Sequence, residues 1–281
     1  MITDATGEYV TVLHSDDLYL EHALKHLYEV AEKTNADMVH EMFFLVSPPG
    51  GIINSINDCK LLCLDRNTFN NVKVMPNESV NRFIEWSQDG TFCDIQYNFF
   101  KRRFLLETLV CHGVLLDGFW DGPGLQIFCC LMNAKTFVKT PVICYIRRDA
   151  PDSVYNQKGA FQIERFIDSK IKMIRYLDYY LPKIKFFRDN TNARNFVKMK
   201  FIIGSNNHEL FRHGVYKNGI SNELYQKVET AFKKNFGNDY FFPMIFFHWV
   251  NSANQNINVL NNMFQNTLIS FNANPAPPPS R

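Results

Sequence analysis

The sequence predicts an α/β fold: a mixed sheet with helices in the first half, followed by a mostly helical C-terminal region. Three observations carry that prediction. The run Tyr9-Val10-Thr11-Val12-Leu13 precedes an amphipathic helix and then a second apolar run over residues 37–46, so the chain opens β, α, β. Beyond Asp149-Ala150-Pro151-Asp152, strand signals give way to long helical periodicities. Charge divides at the same place: residues 1–149 carry 13 Lys/Arg against 19 Asp/Glu, and residues 150–281 carry 17 against 9. The expected organisation is an α/β domain over 1–150, a helical region over 151–252, and an Asn/Pro-rich flexible tail over 253–281.

Each element follows from local pattern. Residues 9–13 are β-branched and aromatic, as a buried strand requires. Residues 18–33 place Leu20, Leu24, Leu27 and Ala31 on one stripe and Glu21, His22, Lys25, His26 and Glu29 on the other, which predicts a helix with solvated histidines. Thr34-Asn35-Ala36 ends it. Residues 37–46 are almost continuously apolar and predict one buried strand. Pro48-Pro49-Gly50-Gly51 is a turn, and residues 52–71 alternate weakly, as a short hairpin or an irregular excursion at the sheet edge would. A helix over 78–88, a strand over 93–100 and a helix over 102–110 come next. Asp121-Gly122-Pro123 then opens a helix through Asn133, Asp being a good N-cap and Pro tolerated in a first turn. Two short strands over 135–139 and 142–147 close this half. Helices are expected over 159–181, ended by Pro182, then 183–203, 221–236 and 240–252.

Composition excludes several classes. The densest apolar run, residues 240–250, is far shorter than the roughly 20 residues a membrane span needs. Seven cysteines in apolar surroundings predict core thiols in a reducing compartment, hence a cytoplasmic protein. Cys59 and Cys63 have no second Cys/His pair at a zinc-like spacing. The basic residues of the second half are spread over several helices, without the clustered stripe of a nucleic-acid binder. They suit an anionic partner such as a phospholipid surface instead.

The stretch with the most chemistry is Gly7-Glu8-Tyr9-Val10-Thr11-Val12-Leu13-His14-Ser15-Asp16-Asp17. Acids at the carboxyl end of a strand are placed to hold a divalent cation, and a helix N-terminus beyond them offers N–H groups to a phosphate. The competing reading has one acid capping the helix and the other solvated.

This stretch, with Asp37-Met38-Val39 a helix later, resembles the "GEYI-x-FLDSDD … ADVV" segment of family-2 glycosyltransferases. Phe100-Lys101-Arg102-Arg103-Phe104-Leu105 resembles their "LYRRDFL" element. Trp120-Asp121-Gly122-Pro123, Leu131-Met132-Asn133-Ala134-Lys135, Pro141-Val142-Ile143-Cys144-Tyr145-Ile146-Arg147-Arg148 and Ser153 resemble the block "ED-x-x-F … L-x-x-A-K … P-L-Y-x-Y-R … S". The order and spacing hold over residues 7–153. The resemblance implies a GT-A (Rossmann-like) fold and transfer of a sugar from a nucleotide-sugar donor to a glycan, lipid-linked or protein acceptor, with inversion. It implies no nucleic-acid partner, and a basic helical half that approaches acceptor or membrane.

By that resemblance Asp16 is the second acid of the Asp-x-Asp element and ligates Mg²⁺ or Mn²⁺, His14 stands where the first acid contacts the nucleoside, and Asp17 caps the helix. Asp121 matches the catalytic base of inverting members, with Asp117 a second candidate. Trp120 replaces the Glu of the usual Glu-Asp pair. The family places a nucleotide-binding βαβ segment ahead of the "GEYI" strand, where this sequence has six residues. The resemblance therefore implies a truncated sheet, with residues 9–13 short of flanking strands. Such a chain is either a fragment of a longer enzyme or a relic that works as a non-catalytic interaction module.

Overall fold

A computed structural model of the chain describes residues 3–64, 69–88, 95–111, 122–149 and 163–203, with Thr230 and Lys234. The chain divides into two compact units, Met1–Phe201 and Ile202–Arg281. The elements below lie in the first, apart from the last two residues of the final helix. The predicted helices over 221–236 and 240–252, and the tail, lie outside the described residues apart from Thr230 and Lys234.

Two mixed sheets form the scaffold. In chain order the strands are β1 (Tyr9–Thr11), β2 (Leu18–Tyr19), β3 (Met38–Glu41), β4 (Phe43–Val46), β5 (Lys60–Cys63), β6 (Lys73–Val74), β7 (Asn98–Lys101), β8 (Phe137–Thr140) and β9 (Tyr145–Arg147). The helices are α1 (Ala23–Thr34), α2 (Ser79–Gln88), α3 (Arg102–Cys111), α4 (Gly122–Asn133), α5 (Ile163–Tyr180), α6 (Lys185–Asp189) and α7 (Thr191–Ile203). The first sheet has the order β1-β7-β3-β8-β6 and the second β2-β9-β4-β5. Strands β3 and β8 run parallel, as do β4 and β9; every other pair is antiparallel.

Among the described residues the chain leaves the first sheet for the second at three places: β1 to β2, β3 to β4 and β8 to β9. The apolar run over 37–46 is therefore two strands and not one. Pairing decides the break at Met42, whose N–H donates to Thr140 O at 3.0 Å and whose carbonyl accepts from Leu64 N at 2.8 Å. The predicted helix start near Leu18 is likewise displaced. Leu18 and Tyr19 pair with Ile146 and Tyr145, and α1 begins at Ala23.

Helix α1 buries Ala23, Leu27, Val30 and Ala31 against Val39, Phe99, Val138 and Cys144. Leu24, expected on that stripe, is exposed. Asn35 ends the helix in the left-handed region (φ 48°), which lets Ala36 N–H donate back to Ala31 O at 2.9 Å. Asp37 then accepts from the N–H groups of Lys135 (2.7 Å) and Thr136 (3.1 Å), fixing the register of β3 against β8. β1 sits at one end of its sheet. It pairs with β7, and among the described residues its other side has no strand partner.

The abundance of Phe is a packing device in the described helices. Phe83 of α2 meets Phe186, Phe187 and Phe196 at 5.4–5.6 Å between ring centroids, and Trp86 meets Phe128 at 4.7 Å and Phe201 at 5.4 Å. Pro182 ends α5 as predicted, in a 3₁₀ turn over Leu181–Lys183. The single helix expected over 183–203 is instead α6 and α7, broken at Asn190, where Arg194 Nη1 donates to the carbonyls of Phe187 and Arg188. Cys129, Cys130 and Cys144 are the expected core thiols, whereas Cys63 is exposed on β5, an edge strand. Among the described residues no helix is long and apolar enough to cross a membrane.

Candidate functional site

The first crossing between the sheets, residues 12–17, carries the predicted ligands. A short strand that stops at Thr11 leaves the backbone to turn, and Asp17 N–H closes the turn on His14 O at 3.1 Å. His14, Asp16 and Asp17 come together there, each offering a ligand atom, with all three atoms within 4.8 Å of one another. Their surroundings differ. His14 is exposed, Asp16 half-buried and Asp17 buried.

Among the described residues the Asp16 carboxylate has no hydrogen-bond or ion-pair partner. Asp17 is fully engaged. Its Oδ2 accepts from Tyr145 Oη at 2.6 Å and its Oδ1 from Arg148 N–H at 2.8 Å, with His14 Nδ1 3.7 Å from Oδ2. Burial pushes the Tyr145 phenol well above its ordinary range, and the hydrogen bond to the Asp17 carboxylate adds to it. This corrects the expectation that Asp17 caps the helix. It lies five residues before His22, the N-cap of α1, which itself makes no side-chain capping bond.

Of the two histidines expected to be solvated, His22 is exposed and His26 half-buried, and each has a partner. His22 Nε2 lies 3.0 Å from Ile143 O and His26 Nε2 2.8 Å from Thr140 Oγ1, so both pin α1 to the third crossing. Burial lowers the pKa of half-buried His26, and His22 beside it adds to that, with Glu29 opposing.

A second titratable group, Glu41, was absent from the sequence-predicted set. It ends β3, is 0% exposed, accepts at Oε2 from Cys144 N–H at 3.3 Å, and has Oε1 buried without a partner among the described residues. Burial raises its pKa to about 8, the Cys144 hydrogen bond opposing in part. The available signal was the pair His40-Glu41 inside an otherwise apolar run. Tyr145 and Arg148 lay in a stretch singled out for its pattern, but nothing local links them to Asp17, 128 and 131 residues away. Asp121, the candidate base, lies outside the described residues, as do Asp117, Trp120 and Ser153. Helix α4, which Asp121 precedes, is in place.

A divalent cation fits this donor set at two of the three side chains. Asp16 offers an unengaged carboxylate, the oxygen ligand Mg²⁺ and Mn²⁺ prefer, and His14 beside it an exposed imidazole that Mn²⁺ takes more readily than Mg²⁺; most coordination positions are left to ligand oxygens and water.

No family model and no curated protein matches the sequence. Solved structures do match in shape. The crystal structure of S. aureus TarS 1-349 in complex with UDP-GlcNAc superposes with a TM-score of 0.54 at 9% identity, over 91% of this chain and 71% of that one. The complex of the same protein with UDP gives 0.51 at 10% identity, over 91% and 70%. S. aureus TarS 1-349 in a third structure gives 0.51 at 9% identity, also over 91% and 70%. At this identity the likeness is one of fold: the chain has a glycosyltransferase-like α/β architecture.

Proposed function

We propose that this chain is a metal-dependent glycosyltransferase that moves a sugar from a nucleotide-sugar donor to an acceptor hydroxyl with inversion. One observation carries the reading. An unengaged carboxylate, Asp16, and an imidazole, His14, stand together at the carboxyl end of β1, in a fold shared with a protein crystallised with UDP-GlcNAc and UDP.

Asp16, with His14 beside it, would hold Mg²⁺ or Mn²⁺, whose charge would stabilise the departing diphosphate. In the reaction the acceptor oxygen forms a bond to the anomeric carbon as the bond from that carbon to the diphosphate oxygen breaks. Asp121 takes the hydroxyl proton, and the nucleoside diphosphate leaves with its electron pair. A single base and a single displacement invert the anomeric centre. Acceptors of the glycan, lipid-linked or protein class suit this chemistry. The basic surplus of residues 150–281 supports work at an anionic membrane surface, and the buried thiols Cys129, Cys130 and Cys144 support a reducing compartment such as the cytoplasm.

The test is calorimetry of the chain with UDP and Mn²⁺, followed by a panel of UDP-sugars including UDP-GlcNAc, read as UDP release with and without acceptor. Saturable UDP·Mn²⁺ binding that Asp16→Ala removes supports the assignment; binding unchanged by that substitution refutes it.

A second reading, a degenerate non-catalytic interaction module, is favoured by one feature: His14 where the resembling family has an acid. Absence of any heat with UDP and Mn²⁺ selects it.

A further inference from the structure

We propose that Asp17 is a positioning residue and not a ligand of the cation: with Tyr145 it forms a latch that holds the turn carrying His14 and Asp16. The inference rests on the reading of that turn as the cation and diphosphate site.

The turn is held at both ends. On the side of the first sheet, Tyr19 Oη lies 2.6 Å from Thr11 Oγ1 and donates to Val12 O at 3.3 Å. On the side of the second sheet the hold is Asp17, whose side chain is 4% exposed and whose two oxygens each take a protein donor. Those donors are themselves fixed. The Tyr145 ring is 0% exposed and wedged edge-on against Tyr19 (5.3 Å) and Tyr97 (5.1 Å).

Arg148 is bound through its neighbours to the turn that follows β4. Ser47 N–H donates to Arg147 O (2.9 Å), Asp149 N–H to Ser47 Oγ (2.9 Å) and Gly50 N–H to Asp149 O (3.1 Å), while Arg148 Nε donates to Gly51 O (3.2 Å).

A carboxylate so placed is poorly suited to coordinate. An ion binding Asp17 would have to enter a buried pocket and compete with a short charge-assisted hydrogen bond. Asp16, one residue earlier, is half-buried and, among the described residues, unengaged. The division of labour is therefore unequal: the Asp16 oxygens are left for an ion while those of Asp17 are taken by Tyr145 and Arg148. Fixing a ligand before the ion arrives removes an ordering cost from binding, and that is what the latch contributes.

Tyr145→Phe removes the hydroxyl and keeps the packed ring, so it tests the latch without opening the core. Two readouts on the whole chain decide. Hydrogen exchange of residues 12–19 without ligand reads the hold itself: Tyr145→Phe accelerates it about tenfold, at a thermal midpoint close to wild type. Calorimetry with Mn²⁺ and UDP reads the consequence: Tyr145→Phe and Asp17→Asn each weaken binding about tenfold, the scale of one hydrogen bond to a charged group. The double variant is no weaker than Asp17→Asn alone, because Tyr145→Phe then has no carboxylate contact left to remove. Asp16→Asn abolishes Mn²⁺ binding with exchange unchanged.

Unchanged exchange in Tyr145→Phe overturns the proposal. So does loss of Mn²⁺ in Asp17→Asn as complete as in Asp16→Asn, with Tyr145→Phe binding as wild type. A wild-type chain that takes neither Mn²⁺ nor UDP removes the reading of the donor site, and the exchange arm alone then decides whether the latch exists.

Discussion

Replacing Glu41 with Gln should change how stability depends on pH, and the size of the change follows from its burial. In the folded chain the carboxyl is enclosed and its pKa rises from the ordinary 4.5 to about 8. Above pH 4.5 the unfolded chain ionises Glu41 freely while the folded chain keeps the proton, so unfolding gains ground. Stability from this group is intact below about pH 4.5 and is lost as pH rises toward about 8. The slope is about 1.4 kcal/mol per pH unit, which amounts to roughly 3 kcal/mol at pH 7 and about 4 kcal/mol at pH 8, where the folded group is itself half ionised.

The Glu41→Gln side chain would keep an oxygen for Cys144 N–H but aim an amide NH₂ at the unpartnered side, a fixed cost of about 1–3 kcal/mol. The variant should be no more stable than wild type at pH 5 and more stable at pH 8, the difference growing by about 3–4 kcal/mol across that range. Urea unfolding followed by circular dichroism at pH 5, 6, 7 and 8 measures it. A difference flat to within about 1 kcal/mol refutes the reasoning, and with it the view that Glu41 is neutral in the folded chain at pH 7.

Other perturbations test other parts of the structure. Leu27→Ala, at a fully buried position under α1, should cost about 2–5 kcal/mol in chemical denaturation. Glu85→Gln removes an ion-pair partner of Lys139, which is 0% exposed, and should destabilise the chain; Lys139→Met, which deletes the charge with its need for partners, should cost less. Burial holds the His26 pKa below its ordinary 6.5, so stability is present above that value and lost as pH falls through it. His26→Gln should therefore show a shallower fall in thermal midpoint between pH 7 and pH 5 than wild type.

What the sequence made legible is what short-range pattern controls. The opening β, α, β order and the bodies of α1, α2, α3 and α4 follow from apolar spacing over a dozen residues. The end of α1 at Asn35 and of α5 before Pro182 follow from single-residue backbone preferences. The crossings between sheets were not legible, because partners a hundred residues away decide them. Met38 through Val46 reads as one apolar strand; it divides because β8 and β9, its two parallel partners, are themselves separated by the turn after Thr140.

The same cause hid the role of Asp17. An acid before a helix satisfies a local capping rule, and only the fold brings Tyr145 to it. The polar side chains of interest gather at these crossings: His14, Asp16 and Asp17 at the first, Glu41 at the second, and Thr140, bound by His26, at the third. A strand that changes sheets leaves one ladder before joining the next, so its backbone there takes partners outside a ladder or turns, and polar side chains find places that a continuous strand would fill with apolar ones. Polar groups collect at these crossings for that reason, and the turn at residues 12–17 carries exposed side chains there, Leu13, His14 and Ser15.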